Sequence, residues 1–456
     1  MRFGQTRCGY GMTVAACLWL GLFPLLQGGT YSHITYDKWV IFLILTAVTA
    51  VCFLFDLLLS VRRKPAVSSG TSVPRPRVSC LPAVLAAVLL LWIFLSCLTG
   101  GSSRDTWWIG SSVRYEGLAT QLCYFALFLA FFFARVDLRP VLYSAAAGVT
   151  VFLIVVLMQR SGGNPLGLYP RGTSYATGHE FQGTIGNIDM GTGYLLLLSG
   201  LFLHGLLRSL RGLRAAGGRH SDHGKTEPKR LPAASVILAA VCFLALAVSV
   251  FLIVTMEVQF GLISLCVLIV VTLFRFIPKK ARFPFLVLLV VLVLLVVWFW
   301  PGEGGGLWEL HEIFHGRTRL SFGSNRLAVW AYSLRLAGED LLFGGGSGTY
   351  RSRFNQYIEA NGLVIPSEQD GVPLPHYFDN PHNEYVSLLV NHGLPALLLF
   401  LALLFIAVWH RRDRLLPLLT PCSAAVLCYA VQAFFSFSVC IVAPMFWVLF
   451  GLSFKD

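Results

Sequence analysis

The chain has 456 residues, of which 56% are hydrophobic and only 12% charged, against about 25% charged in an ordinary soluble domain. Most of it is therefore solvated by lipid, which excludes a soluble multidomain enzyme. The net charge of +13 does not indicate nucleic acid, because the basic residues sit in short clusters between apolar runs, the arrangement that membrane insertion produces.

A bilayer core takes about 20 apolar residues per helix. In chain order, runs of that kind lie near 9–27, 38–61, 81–99, 116–134, 140–158, 188–207, 233–254, 259–277, 283–300, 384–409, 415–434 and 438–453. They predict an all-α polytopic membrane protein with about twelve transmembrane helices. Arg2 and Arg7 precede the first run as in a signal peptide, but its length, with no clean small-residue cleavage site after it, reads as a first transmembrane helix. The 11 cysteines include no CxxC pair and none in 301–381, so they read as small apolar residues rather than a disulfide framework.

Lysine and arginine set the orientation. The basic clusters at 62–64, 208–230, 275–282 and 411–414 fall on one side, and the alternate short loops hold only Lys38, Arg104, Arg114, Arg160 and Arg171. Both termini come out cytoplasmic. The segments 62–80 and 208–232 read as solvated basic linkers, and His220 and His223 in the second read as loop residues rather than metal ligands. Three polar segments face outward: 100–115, 159–187 and 301–383.

The longest of these is expected to be a folded, helical cap. After Asn325 a helix runs from Arg326 to about Gly338, with Leu327, Trp330, Ala331 and Leu334 as its apolar stripe. Phe343 and the Gly344–Gly348 stretch then force a turn. A second helix over about 349–360 places Tyr350, Phe354, Tyr357 and Ile358 on one side. The loop ends in Asp379-Asn380-Pro381-His382-Asn383-Glu384-Tyr385, where a membrane helix begins. Asn380 suits its cap and Pro381 its first position, which puts His382 in the first turn. A helix N-terminus disfavours imidazolium, and a neutral imidazole can take a proton from a sugar hydroxyl. A histidine that merely helps to cap the helix fits the same spacing. Among the outward arginines, Arg160, Arg171 and Arg326 could each grip a diphosphate in a planar fork, or simply snorkel to lipid headgroups.

Two further signals compete. His311-Glu312-Ile313-Phe314-His315 fits the HExxH zinc pattern, with Glu339 as a possible third ligand; it ends at Gly316, is short, and recurs by chance. A lipid-linked glycan transporter or flippase would suit the number of spans. Such a protein usually buries ionisable residues mid-membrane, and Glu257, at a helix end, is the only such residue read from the sequence.

Several stretches together resemble the O-antigen ligase and polymerase superfamily. Pro381-His382-Asn383-Glu384-Tyr385, followed by Leu388-Leu389 and His392-Gly393-Leu394, is similar to its His-Asn motif leading into a glycine-containing membrane helix. Gly323-Ser324-Asn325-Arg326 with Trp330, and Leu342 to Tyr350 across the glycines, resemble its arginine–tryptophan and small-turn motifs. Gly183-Thr184-Ile185-Gly186-Asn187 resembles its Gly-Asn start of another membrane helix. The likeness spans roughly 160–453. It departs at Asn187-Ile188-Asp189, where Asn-Pro-Asn is common, and at Glu257-Val258-Gln259-Phe260-Gly261, where Ser-Arg-Gly is common.

The resemblance implies a fold like that of the C-type membrane glycosyltransferases, with 1–158 as N-terminal transmembrane helices, 159–453 as the ligase-like domain, and 301–383 as its large extracytoplasmic loop. It implies a metal-independent, inverting transfer of an undecaprenyl-diphosphate-linked glycan to a lipid- or carrier-linked sugar acceptor, by a ligase or a polymerase, at the outer face of the cytoplasmic (inner) membrane. It implies no cofactor, and the partners are the two glycans and membrane lipid. By the same likeness His382, Arg326 and Arg171 are catalytic, Arg160 being the rival of Arg171, while Asn187, Asn383 and Glu384 bind substrate.

Overall fold

The computed structural model describes residues 9–62, 79–101, 103–169, 181–217, 233–274, 276–365, 378–409 and 419–455. Arg171, the linker residues 63–78 and 218–232 with His220 and His223, and the basic cluster 411–414 lie outside the described residues.

Helices make up nearly all of the described regular structure. In chain order they are α1 (Tyr10–Cys17), α2 (Ile34–Arg62), α3 (Leu81–Thr99), α4 (Arg104–Ile109), α5 (Leu118–Phe133), α6 (Leu138–Arg160), α7 (Ile188–Gly217), α8 (Ala233–Thr255), α9 (Gln259–Leu273), α10 (Lys279–Trp298), α11 (Gly305–Phe314), α12 (Arg326–Glu339), α13 (Tyr350–Ala360), α14 (Glu384–Trp409), α15 (Pro421–Gln432) and α16 (Ala443–Ser453). One antiparallel hairpin, β1 (Phe181–Gln182) with β2 (Gly186–Asn187), pairs Gln182 with Gly186 immediately before α7.

Seven described helices are long and apolar enough to cross a membrane. The remaining predicted runs form shorter apolar helices of 10–17 residues, at Tyr10–Leu25, Leu118–Phe133, Gln259–Leu273, Pro421–Gln432 and Ala443–Ser453. The run expected over 438–453 becomes helical only at Ala443, because 433–442 crosses the bundle as irregular chain. The basic linker expected from 208 instead begins as the last turns of α7. The bundle is built around α7, which packs on α8 and α15, while α5 packs on α16 and α3 on α14. In its most apolar stretch α7 is 83% buried and α10 only 6%, so α7 is the central helix and α10 the one most open to lipid.

Lys38 is not in a loop, as its charge suggested, but buried inside α2, and it answers a backbone problem. The first helix loses its α geometry after Cys17 and ends in a 3₁₀ turn, Phe23–Leu25. Lys38 Nζ donates to the freed Phe23 and Pro24 carbonyls, each at 2.9 Å. At the other end of that helix the Asp56 carboxylate, also from α2, accepts from the Gly11 and Met12 amides at 3.0 and 2.8 Å. An acid at the N-terminus and a base at the C-terminus both complement the helix dipole. Glu257 is thus not the only ionisable residue within the apolar runs, but Lys38 and Asp56 are engaged in capping, not free to line a transport path.

Helix α14 is broken at Gly393, whose φ is 75°. Backbone from the glycine-rich turn fills the break. Gly345 and Gly346 donate to the carbonyls of Val390 and Asn391 at 3.1 and 2.7 Å, and Leu394 donates to Leu341 O at 2.8 Å. Ser96 of α3 also donates to Asn391 O, at 2.8 Å. Inside a membrane bundle such groups must be satisfied by protein. A Cβ on Gly393 would overlap the Leu342 carbonyl. Gly393→Ala is therefore expected to cost about 2–3 kcal/mol through left-handed strain and overlap, read as a lower thermal midpoint in detergent; an unchanged midpoint would refute this account of the break.

The predicted cap helices appear as α12 and α13, within a residue or two of the expected bounds. Their core joins Ala328, Val329, Tyr332, Leu336, Tyr350 and Phe354 to Val390 of α14. The buried face of α12 is thus not the expected stripe, and Leu334 is 50% exposed. The partner surfaces, α13 and α14, meet α12 a residue or two around from that stripe, leaving Trp330 turned elsewhere.

Candidate active site

Trp330 faces the loop that ends at α14. Its indole Nε1 donates to Pro381 O at 2.8 Å, and its ring meets Phe434 at 5.4 Å and Phe435 at 6.2 Å between centroids. Phe435 stacks on Phe260, at the start of α9, at 4.3 Å. Over Phe260 lies the guanidinium of Arg326, 4.9 Å from the ring centroid. Residues Gly323, Ser324 and Asn325 all have positive φ, a tight left-handed turn that aims the first residue of α12 back at this shelf. Trp330→Phe, which keeps an aromatic ring but loses the bond to Pro381, is expected to lower turnover at this site about fivefold for one hydrogen bond. Wild-type turnover in that variant would show that the bond does not hold the His382 loop.

Arg326 is tied at one nitrogen only. Its Nη1 donates to Gly323 O at 3.1 Å, while Nε is buried without a partner among the described residues. The neighbouring Asn325 Oδ1 is likewise buried and unpaired among the described residues. Burial lowers the Arg326 pKa, and the charges of Asp189 and Glu309 oppose that; an arginine nevertheless stays charged.

His382 precedes α14 instead of lying in its first turn. Asn383 is the cap, its Oδ1 accepting from the Tyr385 and Val386 amides at 3.0 and 3.1 Å. Asn380 instead accepts from the His382 amide at 2.8 Å, holding His382 in a left-handed conformation with φ 50°. The imidazole packs edge-on against Phe437, centroids 5.1 Å apart. On the same phenyl ring lies the guanidinium of Arg114, 4.3 Å from the centroid, and its Nε bonds Asp379 Oδ2 at 2.7 Å. The His382 pKa is lowered to about 4, chiefly by burial and then by the positive charges of Arg326 and Arg114, against Asp379. The ring is neutral at pH 7, but two arginines and burial keep it so, rather than a helix terminus.

The other expected site residues are placed as follows. Glu384 starts α14, and its Oε2 accepts from the Ser438 amide at 2.7 Å. Asn187 caps α7 through the Asp189 and Met190 amides. Arg160 donates through Nε and Nη2 to Gln182 Oε1 at 3.2 and 3.1 Å, and through Nη2 to Thr255 O at 3.1 Å. It braces the hairpin to the end of α8. So the structure joins His382, Arg326, Asn383 and Glu384 in one region, and gives Arg160 and Asn187 local structural bonds. In the HExxH stretch, Glu312 is held by both Arg317 Nε and Nη2, at 2.9 and 2.6 Å. The His311 and His315 Nδ1 atoms face carbonyls of Val297 and His311. Glu312 is thus committed to an ion pair rather than free to act as a base.

Sequence reasoning missed Arg114 and Phe437 as neighbours of His382. It also missed Glu116, which it placed inside a span; α5 starts only at Leu118. Burial raises the Glu116 pKa to about 7, with Arg114 opposing and Asp379 and Glu384 adding to it. The signal for Phe437 was available in Ser436 and Ser438, two hydroxyls interrupting an apolar run.

A buried, neutral imidazole near two guanidinium groups thus lies where membrane-length helices meet a folded cap, in a polytopic all-α membrane protein. Residues 244–401 match the family model described as O-Antigen ligase, and the superfamily read from the motifs around Arg326 and His382 is borne out. The match covers about a third of the chain, less than the 160–453 expected, and contains Arg326 and His382 but neither Arg114 nor Phe437. A search of curated proteins finds no match.

Proposed function

We propose that this chain transfers a glycan from an undecaprenyl diphosphate to a sugar hydroxyl at the outer face of the cytoplasmic membrane, as a ligase or polymerase of cell-surface polysaccharide. The acceptor oxygen attacks the anomeric carbon with inversion as the bond to diphosphate breaks. The bonding pair leaves with the diphosphate, and the hydroxyl proton goes to His382. Arg326 receives the departing charge, Arg171 remaining the proposed second cation. The oxocarbenium-like transition state asks little basicity of the imidazole until the new bond is well advanced, so a depressed pKa is serviceable.

The observation that carries this reading is the buried, unpaired Nε of Arg326 in a site whose charges also act on His382. A donor left unsatisfied inside protein costs about 1–3 kcal/mol, and a diphosphate oxygen would satisfy it. The basic clusters predict both termini in the cytoplasm and the 301–383 cap outside, which supports a site at the face where lipid-linked glycans arrive.

The test is transfer by the reconstituted protein, with undecaprenyl-diphosphate glycan extracted from the host and with EDTA present. EDTA-resistant transfer is expected, and product length separates one-step ligation from polymerisation. Flipping of the lipid without any new glycosidic bond would instead establish a transporter, and loss of transfer in EDTA would return attention to His311 and His315.

A further inference from the structure

Beside the loop that carries His382 lies a cavity of about 50 Å³, within about 660 Å³ of non-protein space that includes open solvent. Distant stretches of chain wall it: the loop before α5 with the first turns of that helix, Ser347 and Gly348 of the glycine-rich turn, Asn380 with the first turns of α14, the irregular segment 437–440, and Trp447 of α16. Resting on the proposed transfer reaction, we infer that this cavity holds the terminal sugar of the acceptor, and that Glu116 selects an uncharged or amino pyranose there.

The lining has the chemistry of a saccharide site. Glu116, Glu384, Gln121 and Asn391 offer carboxylates and amides, which bind neighbouring hydroxyls in pairs, and Phe437 and Trp447 offer rings for the C–H face of a pyranose. The cavity is suited to no diphosphate. Its one cation, Arg114 among the described lining residues, is already paired with Asp379, which leaves Glu116 and Glu384 to set the sign.

An independent feature points to a ligand. Asn391 is only 6% exposed, and its Oδ1 has no hydrogen-bond partner among the described residues, while its Nδ2 reaches Ser387 Oγ at 3.3 Å. Buried acceptors are seldom left empty, and a sugar hydroxyl in the cavity supplies the missing donor. Phe437 forms part of the cavity wall and touches the His382 ring, which lies outside the lining, so a sugar seated there is separated from the proposed base by that one phenyl ring. Arg326 with its Phe260 shelf lies outside the lining. Donor phosphate and acceptor sugar therefore approach His382 through different walls.

The charge of the lining makes the selectivity. Above about pH 7, where Glu116 is largely ionised, a uronic acid would bring a carboxylate against it and Glu384, whereas a neutral hexose or a protonated amino sugar meets no repulsion.

The test uses the full-length reconstituted protein at saturating host donor, titrating the sugar-bearing lipid fraction of the host as acceptor. Glu116→Gln and Gln121→Ala are each expected to raise the half-saturating acceptor level about tenfold, the loss of one charge-assisted or well-placed hydrogen bond, with a smaller effect on maximal rate and none on donor half-saturation. Phenyl β-glucoside should compete with the acceptor and phenyl β-glucuronide should not, and Glu116→Gln should narrow that difference. Unchanged acceptor curves in both variants, or a shift in the donor curve, would overturn the assignment while leaving the transfer reaction intact. If Glu116→Gln fails to insert, Gln121→Ala and the two glycosides decide. Full transfer by His382→Ala would instead fault the underlying reaction.

Discussion

Replacing His382 by alanine is expected to lower transfer by about 10²–10⁴-fold, the usual share of a positioned base, in a protein that still inserts and elutes as wild type. The side chain makes no hydrogen bond that the described fold depends on; its backbone amide holds the contact to Asn380, and alanine keeps that amide. The pH dependence is the sharper readout. A lowered pKa means that the neutral, proton-accepting form prevails above about pH 4. In the free enzyme kcat/KM for the donor should then be flat through neutrality and fall only as the pH drops through about 4. A bound diphosphate adds negative charge near the arginines that depress the imidazole, which favours its protonated form. The acid limb of kcat, which reports the complex, should therefore lie higher than that of kcat/KM. Coincident limbs near the ordinary histidine value of 6.5 would mean that His382 is not the titrating base.

Arg326→Lys is expected to reduce transfer about 10²-fold and Arg326→Ala about 10³-fold, the range for losing a donor aimed at developing charge. The lysine result is the informative one. Arg326 lies over Phe260, spends Nη1 on Gly323, and keeps Nε without a partner among the described residues. A lysine retains the charge but has neither the planar face for the ring nor the second nitrogen for the ligand. Both variants should raise donor half-saturation and leave that of the acceptor unmoved. A lysine enzyme that works as well as wild type would reduce the role of Arg326 to a diffuse positive field.

How far the sequence reaches depends on the range of the forces involved. Hydropathy found each apolar helix, because lipid imposes a composition on every span separately. The start of α12 after Asn325 and the turn at Gly344–Gly348 were legible because glycine and asparagine report local backbone. The stripe on α12 was misread by one or two positions because nothing local says that α13 and α14 cover its other side. Lys38 was misread as a loop residue because its partners, the Phe23 and Pro24 carbonyls, belong to a different helix. The candidate site follows the same rule. His382 and Arg326 stand in local motifs and were found, while Arg114 and Glu116 acquire meaning only through residues more than two hundred positions away. Phe437 was missed because ten residues of apolar chain that form no helix look like ten that do.

Arg114 and its ion partner Asp379 are 265 positions apart, and this distance governs the protein's birth. At about 5–20 residues per second, the ribosome delivers Asp379 roughly 10–50 s after Arg114. Until then the guanidinium, the Ser96 hydroxyl and the Trp92 indole, whose partners are Asn391 O and Leu342 O, belong to a helical half with no surface to receive them. The cavity wall is complete only once Trp447 is made. An interrupted chain thus leaves these polar groups without the partners that the finished fold gives them, and the site closes only when the last helix is in place.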